Sequence, residues 1–215
     1  MMSTGETHDD QPRSMRHVGV REHRRTMLYK PHIAPLTEYA AKLRKRGSVE
    51  VPEFDPFDGG VHAQVLFLFE KPGPMTAGNG GSGFISRNND DPSAEATFRF
   101  MQNAEIPRQL TVTWNVIPWW NGTRKVTGQE LREGVECVRE LILLLPILRS
   151  VVLVGKNAAR ANAYLNETGL TLFTSAHPSP LVRAKYPEKW NAIPSQWAKV
   201  QTVLTKSGAP HLDSE

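Results

Sequence analysis

Val65-Leu66-Phe67-Leu68-Phe69 is an unbroken apolar run with no polar face. A strand with neither face suited to water must be covered on both, and such strands occur in parallel sheets flanked by helices. Further short strands are expected at Leu110 to Trp114, Val151 to Val154 and Leu170 to Thr174.

Helical patterns lie between and around these runs. Leu36 to Leu43 predicts a short helix closed by Arg44-Lys45-Arg46-Gly47, with cations and a glycine where a helix C-terminus favours them. Asp91-Pro92-Ser93 can start a helix that runs through Met101. Thr127 and Glu130 have capping-box spacing, and Leu131, Val135, Val138, Ile142 and Leu145 then share one helical face until Pro146. Two more helices are expected at 157–166 and 193–204.

Strands alternating with helices at these lengths imply right-handed crossovers. The fold class is therefore α/β, a three-layer α/β/α sandwich around a central, mostly parallel four-stranded sheet. Residues 1–25 are polar and without periodicity and predict a flexible N-terminal arm, leaving 26–215 as a single α/β domain. The cluster Arg21, Arg24 and Arg25 reads as part of a solvated tail, with phosphate contact as the alternative.

Ligands in such sheets bind beyond the carboxyl ends of the strands, so the loops after Phe69, Trp114, Val154 and Thr174 are where chemistry is expected. The first reads Glu70-Lys71-Pro72-Gly73-Pro74. Its prolines fix an irregular backbone. Glu70 is either aimed at a ligand or neutralised by a local cation such as Lys71. Gly78-Asn79-Gly80-Gly81-Ser82-Gly83 matches the dinucleotide pattern G-x-G-x-x-G, but the glycines begin well past the strand end and no ribose-binding acid closes the second strand. A flexible loop that carries Phe84 to a site fits better. Asn115, just beyond the second strand, can donate and accept at once, which suits a base edge as well as a turn. Trp119 and Trp120 after it are either core or stacking platforms.

The fourth strand runs into Ser175-Ala176-His177-Pro178-Ser179-Pro180-Leu181. Prolines on both sides of a serine lock the loop, His177 sits at the sheet edge, and a large apolar residue follows in a segment that should be exposed. Arg183, Lys185 and Lys189 add positive charge. The chain as a whole has 26 Lys and Arg against 22 Asp and Glu, a mild excess compatible with a polyanionic partner. The single cysteine, Cys137, rules out an intrachain disulfide and a four-cysteine metal or iron–sulfur site. With no signal-peptide pattern and no long apolar run, a cytoplasmic protein of the bacterial cytosol or nucleoid, without membrane contact, is expected.

HPSPL resembles the third motif of the uracil-DNA glycosylase superfamily. EKPGP looks like its first, and T-W-N-V like the strand-end asparagine of its second; with VVLVGKNAARA, the match extends over roughly residues 62 to 204. The resemblance implies excision of uracil from DNA by hydrolysis of its glycosidic bond. It also implies catalytic roles for Glu70, which would orient water or stabilise the sugar cation, and for His177, which would support charge on the departing base. Phe84 would stack on that base, Asn115 would bond its edge, and Lys71, Pro72 and Gly73 would complete the base site. Leu181 would fill the gap in the duplex, with Ser179, Pro180, Arg183 and Lys185 on the DNA. No cofactor or metal is expected, and the partner is uracil-containing DNA, single- or double-stranded, bound by a monomer.

The chain departs from the family at several points. Lys71 stands where the best-known branch has its catalytic aspartate, the branches that resemble EKPGP carry four cysteines against one here, and the thymine-excluding tyrosine has no counterpart. A cation beside Glu70 leaves open a protein that binds uracil or abasic DNA with little turnover.

Overall fold

The computed structural model describes residues 9–47, 50–74, 76 and 80–204. In chain order its elements are α1 (Val18–Thr26), α2 (Ala34–Arg46), β1 (Glu53–Phe54), β2 (Val65–Phe69), β3 (Phe84–Ile85), α3 (Pro92–Asn103), β4 (Thr111–Asn115), α4 (Gly128–Leu143), β5 (Ser150–Val154), α5 (Lys156–Ala159), α6 (Asn162–Leu165), β6 (Thr171–Ser175), α7 (Pro180–Lys185), α8 (Pro187–Asn191), α9 (Ile193–Ala198) and α10 (Gln201–Leu204).

The main sheet has the order β4-β2-β5-β6 and is parallel throughout. Alternation along the strands divides the core. Leu66, Leu68, Val112, Trp114, Val151 and Leu153 point to the side of α2 and α4, where they meet Leu36, Leu131 and Val138. Val65, Phe67, Val152 and Val154 point the other way, to Met101 of α3 and to Ile193 and Trp197 of α9. Helices on both faces explain why β2 and residues 151–154 of β5 carry no polar side. The expected three-layer sandwich is the observed one.

From β2 the chain first steps outward to β4, then crosses back over β2 to β5 and continues to β6. The connections thus leave β2 and β5 in opposite directions. Their carboxyl ends form the topological switch point, where such sheets open a crevice.

The expected boundaries hold closely for β2, α3, β4, α4 and β5. The two later helices are each broken. Arg160 N donates to Asn157 O and Val200 N to Trp197 O, and these i to i−3 bonds tighten the chain between α5 and α6 and between α9 and α10. A small parallel pair, β1 with β3, joins Phe54 to Ile85 in register, and Phe54 stacks on Trp114 with ring centroids 3.6 Å apart. Among the described residues no helix is long and apolar enough to cross a membrane.

The N-terminal segment corrects an expectation. From Asp9 to Arg25 it is not a flexible arm but a strap packed on the domain; residues 1–8 lie outside the described ones. Met15 and Val20 are buried against Phe84 and Leu28. Arg24 is 0% exposed and places its guanidinium on Asp55 at 2.9 Å and over the Phe57 ring. Arg108 donates to Asp55 at 2.6 Å and to Asp58 at 2.9 Å, and also pairs with Asp10. Arg87 completes the cluster at 3.7 Å from Asp58, where burial pushes its guanidinium down to about 10. An arginine at a core position of α1 has no apolar signature, so periodicity could not find it.

Removing one member of a buried ion cluster leaves its partners' charges unpaired, at a cost of about 3–5 kcal/mol. Asp55→Ala, which strips Arg24 and Arg108 of their shared acceptor, is expected to lose that much in urea denaturation. A loss under about 1 kcal/mol would show that the cluster is not what anchors the strap.

Candidate functional site

Four strand ends bring the candidate side chains to one edge. Glu70 follows β2, Asn115 ends β4, Gly155 follows β5 and His177 follows β6. Register fixes this alignment: Phe69 pairs with Asn115 and Val154 with Ser175.

Glu70 and the β5 end meet directly across the switch point. Asn157 donates its backbone N–H to Glu70 Oε1 at 3.0 Å and its side-chain amide to Oε2 at 3.2 Å. Both carboxylate oxygens are therefore held. Gly155 makes this approach possible: it has φ +96°, and a Cβ built there would lie 2.6 Å from Glu70 Oε1 and 3.2 Å from the His177 Cβ. The absent side chain is the space in which the carboxylate and the histidine come together.

His177 is half-buried, its ring set edge-on to Phe69 at 5.7 Å. Its Nδ1 is buried and has no hydrogen-bond partner among the described residues. Burial holds the imidazole below its usual value; Glu70 and Asp91 pull upward and Arg124 again pushes down, with burial prevailing. At neutral pH His177 is therefore neutral, with one ring N–H to donate. Asn115 is 4% exposed and makes no side-chain hydrogen bond to a described residue.

The remaining expected residues divide. Leu181 is 62% exposed on α7, and Arg183 and Lys185 are exposed beside it. Ser179 caps α7 by accepting from Val182 N at 3.4 Å, and Pro180 takes the first helical position. Pro72 is buried, while Gly73 faces Arg124, whose guanidinium is 3.6 Å from where its Cβ would be. The glycine loop meets the described residues only in part, since Gly78 and Asn79 lie outside them.

Two expectations are corrected. Lys71 does not enter the base site: its Nζ donates to Glu130 Oε1 at 2.6 Å and to Asn121 Oδ1 at 2.7 Å, with the side chain 3% exposed. Burial pushes the Glu130 carboxyl up, but Lys71 and Thr127 hold it below the usual range. The cation next to Glu70 in sequence is thus committed to another carboxylate, and Glu70 is held by Asn157 instead. Phe84 is 1% exposed, enclosed with Met15 and Val20, and offers no open ring face for stacking.

Asn157 and Arg124 were missed as site residues. Asn157 lies in VVLVGKN, which reads as an ordinary strand-to-helix turn, and only the approach permitted by Gly155 reveals its role. Arg124 is one more cation in a polar loop. Among the described residues no group of three or more His, Cys, Asp or Glu is placed to hold a metal ion.

The family model of the uracil DNA glycosylase superfamily matches residues 56–201. No curated protein matches the chain. Among solved structures, the solution structure of a candidate uracil DNA glycosylase from Methanosarcina acetivorans is similar, with a TM-score of 0.46, 14% identity, and coverage of 65% of this chain and 92% of that one.

The state of His177 has a thermodynamic signature. A histidine whose folded value lies below 6.5 binds fewer protons folded than unfolded, so its contribution to stability falls as pH drops through 6.5 and is level above it. Denaturation of wild type and His177→Asn should therefore show the variant losing less stability between about pH 6.5 and 5. Parallel profiles would mean that the histidine is not held neutral by burial.

Proposed function

The chain belongs to the uracil DNA glycosylase superfamily, and from that premise we propose that it excises uracil from DNA, hydrolysing the N-glycosidic bond and leaving an abasic site. The observation that carries this reading is the polarity of the crevice. A carboxylate fixed by two donors and a neutral histidine both border the space beside Gly155 that a Cβ would fill.

Breaking the bond between C1′ and N1 of uracil sends the electron pair to the base and leaves positive charge on the sugar. A site for this step needs an anion near the sugar and a donor near the base oxygens. Glu70 supplies the anion and aligns the water that attacks C1′. As the C–O bond forms, the water's proton passes to the Glu70 carboxylate. His177, donating from its one ring N–H, bears on the negative charge that develops on the leaving uracil. Because the imidazole starts neutral, it stabilises the anion through a hydrogen bond without first delivering its proton.

Asn115 provides the reading of the base. A buried amide with donor and acceptor both free of described partners matches the uracil edge, whereas cytosine would leave buried groups unpaired; such mismatches can cost about 10⁴-fold. The base reaches the site only outside the stack, at a few kcal/mol for unstacking and unpairing. Leu181, exposed on α7 between the histidine loop and Arg183, is suited to occupy the vacated space, while Arg183 and Lys185 meet phosphate. The feature that favours a binding protein without turnover is a cation able to neutralise Glu70, and the partner of Lys71 is Glu130 instead.

Single-turnover incubation with oligonucleotides carrying one uracil, hypoxanthine, xanthine or thymine, single-stranded and duplex, with and without chelator, followed by alkaline cleavage, tests the reading. Wild type is expected to cut at uracil. Glu70→Gln should slow excision about 10²-fold or more while DNA binding persists, and Leu181→Ala should slow duplex substrates more than single strands. Binding without cleavage by wild type at any of these bases would contradict the proposal.

A further inference from the structure

Glu70 and Lys71 are neighbours in sequence, yet their side chains leave the β2 end for different partners: Glu70 for Asn157, Lys71 for Glu130. The stretch they begin is poorly held by its own backbone. Pro72 and Pro74 carry no N–H, and among the described residues its backbone links are Thr76 N donating to Gly73 O at 2.9 Å and Gly83 N donating to Thr76 O at 3.1 Å. On the β4 side, Ile117 N donates to Glu70 O at 3.1 Å. Between these bonds, at the residue after Glu70, the chain is anchored by a side chain, the Lys71 ammonium.

That ammonium closes a cluster. Its Nζ reaches Glu130 Oε1, Asn121 Oδ1 and, at 3.4 Å, the Lys125 carbonyl. Glu130 Oε1 also accepts from Asn121 Nδ2 at 2.9 Å, while Oε2 accepts from the Thr127 backbone N at 3.0 Å as the capping box of α4. One carboxylate thus ties three things together: the N-terminus of a 16-residue helix, the 121–127 loop and the residue after Glu70. Most of the 121–127 loop is exposed: Asn121, Thr123, Lys125 and Thr127 line a cavity of about 750 Å³ between it, α2 and α4, while Val126 packs on the core. Without the latch, this loop and the Glu70 turn would each lose a tether.

We propose that Lys71 is a positioning residue, which holds Glu70 in register with His177 by latching the β2 turn onto Glu130 at the start of α4. The proposal rests on the catalytic reading of Glu70. It also assigns a use to a cation that the family resemblance places among the base contacts.

The test compares Lys71→Met, Lys71→Arg, Glu130→Gln and the Lys71→Met/Glu130→Gln double variant. Single-turnover excision, DNA affinity and amide hydrogen exchange at Ile117 and Asn157, whose N–H groups donate to Glu70, are measured for each. The latch predicts that Lys71→Met and Glu130→Gln each slow excision about 10- to 100-fold, as small misplacements of catalytic groups do. DNA affinity should stay within about twofold, exchange at Ile117 and Asn157 should accelerate, the double variant should be no slower than the worse single one, and Lys71→Arg should recover part of the rate. Two results overturn it: Glu130→Gln behaving as wild type in both rate and exchange, or Lys71→Met weakening DNA binding with its rate intact, which would make the lysine a substrate contact. If wild type excises nothing, the glycosylase reading fails by itself, and exchange at Ile117 and Asn157 still decides whether the latch exists.

Discussion

The site depends on a missing side chain. Gly155 ends the central strand β5 in a left-handed conformation, and the volume that a Cβ would fill is occupied by a Glu70 oxygen. Everything that gives the crevice its polarity converges on that point. The parallel register brings the ends of β2, β5 and β6 level, the reversal of connectivity opens the crevice between β2 and β5, and Asn157 then fixes the carboxylate with two donors. An anion and a neutral histidine are held near one another without becoming an ion pair, because burial keeps the imidazole uncharged.

Two ionic clusters support this edge from different sides, and both hold short, irregular pieces of chain. Lys71 with Glu130 restrains the turn that carries Glu70. Arg24, Arg87 and Arg108 with Asp55, Asp58 and Asp10 bind the N-terminal strap to the segments after β1 and β3, and Met15 N also donates to Asn88 O at 3.0 Å. Loops rich in proline and glycine have few backbone hydrogen bonds to offer, so side-chain charges supply the fixed geometry. The strap lies outside residues 56–201 that the superfamily shares, yet it packs directly on Phe84.

Most of the scaffold was legible in the sequence, for a physical reason. Strands buried on both faces read as apolar runs, and α4 announced its start through Thr127 and Glu130. Strand-end placement then located Glu70, Asn115 and His177 without further information. What stayed hidden depends on contacts between distant residues. Arg24 is polar in every local scale and becomes a core residue only because Asp55 is buried beside it. The direction taken by Lys71 could not be read from its position next to Glu70, since its acceptors lie 50 and 59 residues away. Phe84 is placed at the base by the resemblance alone, and the strap that encloses it reads locally as solvated tail.

The central claim is that Glu70 and His177 act as a pair across Gly155, and Gly155→Ala addresses it without touching either functional group. The added methyl must displace the carboxylate from its place beside the histidine. In single-turnover assays on a uracil-containing oligonucleotide, the account predicts a loss of about 10²-fold or more with DNA affinity retained and circular dichroism unchanged. A folded Gly155→Ala protein that excises uracil at the wild-type rate would contradict it.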